Sequence, residues 1–98
     1  MENRKYIAIS IKHSIWRPNL QYWGWNRTKD DEKRCYAGYV EDINKCELYS
    51  FEEFNKKYDW MGVKVVEDEA LFPVLKRKFR NEDTILVDYE KFKDWLGE

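Results

Sequence analysis

Catalysis by an imidazole base would have to use His13, because it is the only histidine in the sequence. Ser10 and Ser14 lie close to it in the chain, and a Ser–His pair oriented by an acidic residue is the arrangement that activates serine for acyl transfer. The sequence nevertheless contains no short motif of a serine hydrolase, a zinc protease or a phosphate-binding loop. We therefore expect His13 to occupy a surface loop at a strand end, and an enzyme that uses His13 is the third hypothesis for function.

The sequence does not predict a metal site or a cofactor. Its two cysteines, Cys35 and Cys46, lie eleven positions apart, and with one histidine they do not match the ligand spacing of a zinc site. The acidic clusters at residues 30–32 and 67–69 lack the alternating ligands and central glycine of a calcium loop, and they suit a solvated turn and a helix start. Without an export signal, a reducing compartment and free thiols are expected.

Aromatic and arginine side chains are concentrated between residues 16 and 39. Tryptophan and tyrosine anchor protein interfaces or stack on bases, and arginine pairs with phosphates or carboxylates. Alternation along a strand places Trp23 and Trp25 on one face and Tyr22 on the other. Most of these rings are expected in the core, with at least one tryptophan exposed and functional. The candidate binding residues are Trp16, Arg17, Trp23, Trp25, Arg27, Arg34 and Tyr36.

Length and composition limit the classes of protein. The 98 residues fit a single domain, 1–98, with a modest core. Hydrophobic residues make up 43% of the chain, too many for disorder, and the net charge of −1 lacks the basic excess typical of nucleic-acid binders. No segment approaches the roughly 20 apolar residues that cross a bilayer. The sequence therefore predicts a cytoplasmic protein without a membrane or nucleic-acid partner.

Hydrophobic patterning predicts the strands. In residues 4–12 the isoleucines alternate with other residues, which indicates a strand with one buried face. The run at residues 27–34 is polar and mostly charged, so it is expected to be the exposed connection of a β-hairpin. The other predicted strands are residues 21–26, 35–41, 45–49 and 84–88, with a further extended piece at 60–66.

Capping signals predict three helices. Ser50 begins a capping box, which indicates a short helix to about residue 57. A second helix is predicted over residues 68–79, although Pro73 favours a start near residue 72. Asp88 can cap a last helix, which carries Tyr89, Phe92, Trp95 and Leu96 and ends at Gly97. The expected fold class is α+β: a small antiparallel β-sheet of four or five strands, with two or three short helices packed on one face.

Four segments of the sequence carry a resemblance to a known group of proteins. They are YIAISIKHS at Tyr6–Ser14, WGWNRTKDDEKRCYAGY at Trp23–Tyr39, ELYSFEEF at Glu47–Phe54 and DTILVDYEKF at Asp83–Phe92. The chain resembles small uncharacterised proteins of Firmicutes and of their phages and prophages. This resemblance implies no activity or cofactor. It implies a protein that binds and modulates a host protein in the host cytoplasm.

Two binding hypotheses therefore precede the enzyme hypothesis. The first is an inhibitor or adaptor that docks on a host defence protein through an aromatic-rich surface. The second is a sequestering protein for a nucleotide-like small ligand, in which aromatic rings stack on the base while Arg17, Arg27 or Arg34 holds the phosphates.

Overall fold

The computed structural model describes residues 4–28 and 33–98. The acidic cluster at residues 30–32 and the middle of the predicted hairpin connection therefore lie outside the described residues. Within the described residues, five strands and three α-helices confirm the predicted α+β fold. The strands are β1 (Tyr6–Ser10), β2 (Gln21–Trp23), β3 (Tyr39–Val40), β4 (Lys64–Val65) and β5 (Thr84–Asp88), and the helices are α1 (Phe51–Lys57), α2 (Leu75–Lys78) and α3 (Tyr89–Leu96).

The strands form one sheet in the order β3-β2-β1-β5-β4. The pairs β3–β2, β2–β1 and β1–β5 are antiparallel as expected, and Ile9 of β1 aligns with Tyr22 of β2 and Ile85 of β5. The edge pair β4–β5 is parallel, which makes the sheet mixed. The reason is that residues 66–83 contain helical turns that cross over and return the chain in its original direction.

Both faces of the two central strands are buried, and helices lie on both faces. Ile7 and Ile9 belong to a cluster that includes residues from α2 and α3, as the isoleucine alternation predicts. Ala8 belongs to a second cluster on the opposite face, which includes Phe54 of α1. The helices are thus not confined to one face, because the small side chain of Ala8 leaves room for α1 and the aromatic rings around it.

Two predicted strands are shorter or absent. Only the end of residues 35–41 forms β3, because Tyr36 and Gly38 adopt positive φ angles of 50° and 76°, which interrupt an extended chain. Residues 45–49 form no strand and make a single bridge, in which the backbones of Tyr6 and Tyr49 exchange hydrogen bonds of 3.0 and 2.8 Å.

The capping signals locate the helix ends correctly. Ser50 forms the predicted capping box at the start of α1, and Asp88 caps α3, which ends at a left-handed Gly97. The chain from Glu69 to Val74 is a 3₁₀ helix that contains Pro73, and α2 begins only after it. Proline cannot donate a hydrogen bond, so the regular helix starts later than predicted.

A sharp turn at Gly24 separates Trp23 from Trp25. Gly24 has a φ of +82° and ends β2, so Trp23 points into the core while Trp25 is exposed. The prediction that these two tryptophans lie on one face of a strand is therefore wrong. A Cβ atom on Gly24 would lie 2.4 Å from the Cβ of Glu47, closer than two carbons can approach.

We expect Gly24→Ala to destabilise the fold far more than Gly62→Ala. Both glycines have positive φ, but nothing lies within 4 Å of a Cβ on Gly62. Gly62→Ala should therefore lower the free energy of unfolding by about 1–2 kcal/mol through backbone strain alone, and Gly24→Ala by at least about 3 kcal/mol through strain and overlap. Urea denaturation measures both, and equal losses would contradict the close packing at Gly24.

Candidate functional site

An open groove of about 760 Å³ lies beside the isoleucine-rich face of the sheet. The lining comes from residues 18–20 and Tyr22, from residues 41–43, from residues 72–77, and from Trp95, Leu96 and Glu98. Loops around β2 and β3 thus provide one part of the wall, and α2 and the end of α3 provide the rest. The volume lies in the range of ligand pockets, which is about 300–1,000 Å³.

The groove has an apolar floor and an apolar rim. Tyr22, Phe72 and Leu75 are buried beneath it, and they belong to the main hydrophobic cluster. Trp95 and Leu96 remain 45% and 40% exposed. Trp95 follows Phe92 by less than one helical turn. The centroid of its ring lies 5.3 Å from that of Phe92 and 5.8 Å from that of Phe72. This packing anchors an aromatic surface that still contacts solvent.

Tyr22 contributes a polar group to the floor. None of the described residues accepts a hydrogen bond from its hydroxyl or donates one to it, although the ring is almost fully buried. Burial raises the pKa of Tyr22 well above its ordinary value, and the nearby Cys46 and Glu98 raise it further. The hydroxyl therefore stays protonated and can donate to a bound carbonyl or carboxylate.

The charged residues of the groove are not paired with one another. Glu41 accepts hydrogen bonds from the side-chain amides of Asn19 and Gln21, at 3.2 and 3.1 Å. Asp42 and Glu98 add acidic groups, whereas Lys76 and Arg77 add basic groups from α2. Within residues 4–28 and 33–98, none of the five groove charges forms an ion pair.

Two of the predicted binding residues lie next to this groove. Trp16 is 92% exposed, and Arg17 is exposed beside it. Pro18, the next residue, lines the groove, and the carbonyl of Arg17 accepts a hydrogen bond from the ammonium group of Lys76. Trp16 and Arg17 therefore directly precede the groove lining in the chain.

The structure places the other predicted aromatic residues elsewhere. Trp23 is buried, and its indole nitrogen donates to the hydroxyl of Thr84 at 3.0 Å. Trp25 is 60% exposed but lies over Gly38, away from the groove lining. Tyr36 stacks on the buried ring of Tyr49 with the ring centroids 5.7 Å apart.

Arg27 and Arg34 already bind groups within the protein. The guanidinium of Arg27 donates to the carbonyls of Cys46 and Ile43, at 2.9 and 3.0 Å, and lies over the ring of Tyr89. Arg34 donates to the carbonyl of Leu48 and to the carboxylate of Glu53. These guanidinium groups hold loops together, which leaves Arg17 as the one exposed arginine of the predicted set.

The buried carboxylate of Glu47 organises the loop that carries Arg34 and Tyr36. It accepts hydrogen bonds from the hydroxyl of Thr28 at 2.6 Å and from the backbone N–H groups of Cys35 and Tyr36 at 2.8 and 2.9 Å. Burial favours the protonated form of this carboxyl, but the hydrogen bonds and the charge of Arg34 outweigh it and lower the pKa of Glu47 below its ordinary value.

His13 and Ser10 do form a pair, with 2.8 Å between His13 Nδ1 and Ser10 Oγ. Ser10 is fully buried, whereas His13 is exposed and packs 4.3 Å from the ring of Tyr39. The backbone N–H of His13 also donates to Ser10 Oγ, an arrangement that closes the turn after β1. A serine hydroxyl enclosed in this way cannot reach a substrate carbonyl in this conformation.

Other site types receive no geometric support. In the part of the chain that the structure describes, no three potential metal ligands come together, and no helix has the length and hydropathy to cross a membrane. Both cysteines are free thiols, and burial raises the pKa of Cys46 to about 11. No protein-family model matches the chain, and no curated protein or solved structure shows significant similarity to it.

Sequence reasoning missed most of the groove. Trp95 and Leu96 were expected on the apolar face of the last helix, and the periodicity gives no sign that this face extends beyond the core. Tyr22 and Phe72 lie fifty residues apart, so only the tertiary fold shows that they share one floor.

We expect Glu47→Ala to lower the free energy of unfolding by about 3–5 kcal/mol, because the substitution leaves the Thr28 hydroxyl and two backbone N–H groups without their buried acceptor and removes the carboxylate that lies 3.8 Å from Arg34. Urea denaturation measures the loss. The matched control is Glu90→Ala, since Glu90 is exposed and pairs only with Lys93 on the surface of α3. This control should change stability by less than about 0.5 kcal/mol. Similar losses in the two variants would show that the Glu47 network contributes little.

The lowered pKa of Glu47 also predicts acid sensitivity. Its folded-state pKa lies below the ordinary value of 4.5, so the stabilisation is present above pH 4.5 and is lost as pH falls through the folded-state value. Glu47→Gln binds no proton on unfolding, so its stability should decline less steeply below pH 4.5 than that of the wild type. Urea titrations from pH 7 to pH 3 test this, and parallel pH profiles would contradict it.

Proposed function

We propose that this chain is a non-enzymatic binding protein that docks on another protein through its aromatic groove and the adjacent Trp16. The observation that carries the proposal is the solvent exposure of Trp95 and Leu96 at the rim of the groove, whose lining begins two residues after the 92% exposed Trp16. Tryptophan dominates the energetic centres of protein interfaces because its large ring is removed from water on binding. Exposed apolar side chains beside a groove are typical of interaction sites.

The resemblance to small phage and prophage proteins supports a host protein as the partner, with inhibition as the outcome of docking. The net charge of −1 also suits this role, since a near-neutral chain selects its partner by shape and apolar contact rather than by long-range charge.

A nucleotide-sequestering function receives less support. Such a function needs free guanidinium groups near a stacking ring to hold phosphates. Arg27 and Arg34 already donate to backbone carbonyls, and the groove lining carries three acidic side chains against two basic ones. Enzymatic use of His13 also loses support, because its serine neighbour is enclosed.

We expect Trp16→Ala to weaken binding of the partner by about 30-fold, the effect of removing one interface anchor. A tagged chain first captures the partner from host lysate, and titration calorimetry then measures the affinity of the purified pair. Trp60→Ala is the matched control, because Trp60 is 73% exposed but lies outside the groove, and it should change affinity by less than about twofold.

Two outcomes would contradict the proposal. A partner that binds Trp16→Ala and Trp60→Ala with equal affinity would show that docking uses another surface. A chain that emerges from lysate as a bare monomer in native mass spectrometry would remove the support for a binding role.

A further inference from the structure

We infer that the groove receives a short apolar peptide segment of the partner that carries a basic side chain near Glu41 and Asp42 and an acidic side chain near Lys76 and Arg77. This inference rests on the proposed function, since it names the part of the partner that the groove recognises.

The exposure of the rim favours a peptide over a small molecule. Small-ligand sites usually bury about 70–90% of their ligand. Here Trp95 and Leu96 keep 45% and 40% of their surface in contact with solvent, and Pro18 and Pro73 are exposed as well. A single small molecule on this floor would leave much of the rim exposed to solvent, whereas a peptide places successive side chains along both floor and rim.

The floor offers the hydrogen bond that a peptide needs. A peptide brings backbone carbonyls into the groove, and each loses water when it is buried. The Tyr22 hydroxyl has no partner among the described residues, and it remains a donor at every physiological pH. It can therefore donate a hydrogen bond to one carbonyl of a bound segment.

Charges of both signs line the groove, and they select the charges of the segment. Glu41 and Asp42 follow β3 on one part of the wall, and Lys76 and Arg77 come from α2 on another. None of the four forms an ion pair within the described part of the chain, so each is available to a charge of opposite sign. A segment with one basic and one acidic residue at matching positions complements these charges.

Selection from a displayed library of random 12-residue peptides tests the inference. The library is panned against the wild-type chain and depleted on Leu96→Asp, which places a charge on the apolar rim at an exposed position where folding tolerates it. Circular dichroism and thermal melting confirm that this variant is folded. The expected peptides combine aromatic or aliphatic residues with one basic and one acidic residue at fixed spacing.

Charge reversal then tests whether the acidic residue of the peptide pairs with Lys76 and Arg77. Lys76→Glu combined with Arg77→Glu should weaken the selected peptides by about tenfold, and exchanging their acidic residue for lysine should restore affinity. Arg80→Glu is the control, because Arg80 is exposed just beyond α2 but does not line the groove. It should leave peptide affinity unchanged within about twofold.

Several results would overturn the inference and leave the proposed function intact. Libraries that yield no peptide dependent on Leu96 would show that the groove does not bind linear segments, even if Trp16 proves essential for a folded partner. Peptides whose affinity is unchanged by charge reversal would contradict the assigned pairing of their acidic residue with Lys76 and Arg77. A concentration-dependent dimer that Leu96→Asp abolishes would identify a second copy of this chain as the occupant.

Discussion

The carboxylate of Glu47 is the group on which the loops of this small domain depend. It is fully buried, and it is the common acceptor for a threonine hydroxyl and two consecutive backbone N–H groups from the neighbouring loop. Arg34 lies between this carboxylate and that of Glu53, and Glu53 also completes the capping box of α1 and binds Arg4. One buried charge thus links the loop before β3, the segment after it and the start of a helix.

This network explains why the aromatic residues of the first half separate into two sets. Once Glu47 holds the backbone of Cys35 and Tyr36, the ring of Tyr36 stacks on Tyr49 and the ring of Trp23 packs beside α1. These rings complete a thin core on one face of the sheet. Trp25 stays exposed beside Gly38, and Trp16 stays exposed just before the segment that lines the groove on the opposite face.

Local patterns were sufficient where neighbours in sequence determine the structure. The alternation in β1, the continuous apolar run of β5 and the caps at Ser50 and Asp88 all predict elements that the structure contains. They fail where a distant side chain decides the local geometry. Glu47 lies in a segment patterned like a strand, yet its side chain points inward because two N–H groups twelve and eleven residues earlier need an acceptor.

The candidate site shows the same limit. The concentration of aromatic and arginine residues between positions 16 and 39 identifies Trp16 and Arg17 as candidates. It also identifies Arg27 and Arg34, although the carbonyls that occupy them come from residues 43–48, which no local pattern pairs with them. Conversely, Trp95 has the spacing of a core residue, and its exposure follows from α3 extending past the edge of the apolar cluster it covers.

The sheet ends on both sides in strands of two residues, β3 and β4. An incoming strand would therefore find only a few backbone hydrogen bonds at either margin, far fewer than along the five-residue β1 or β5 in the middle. Lys64 on β4 adds a charge that opposes such pairing. Short margins of this kind discourage fibrous stacking of one copy on another, so the chain can present solvent-exposed indole rings at high concentration without its sheet becoming a template for aggregation.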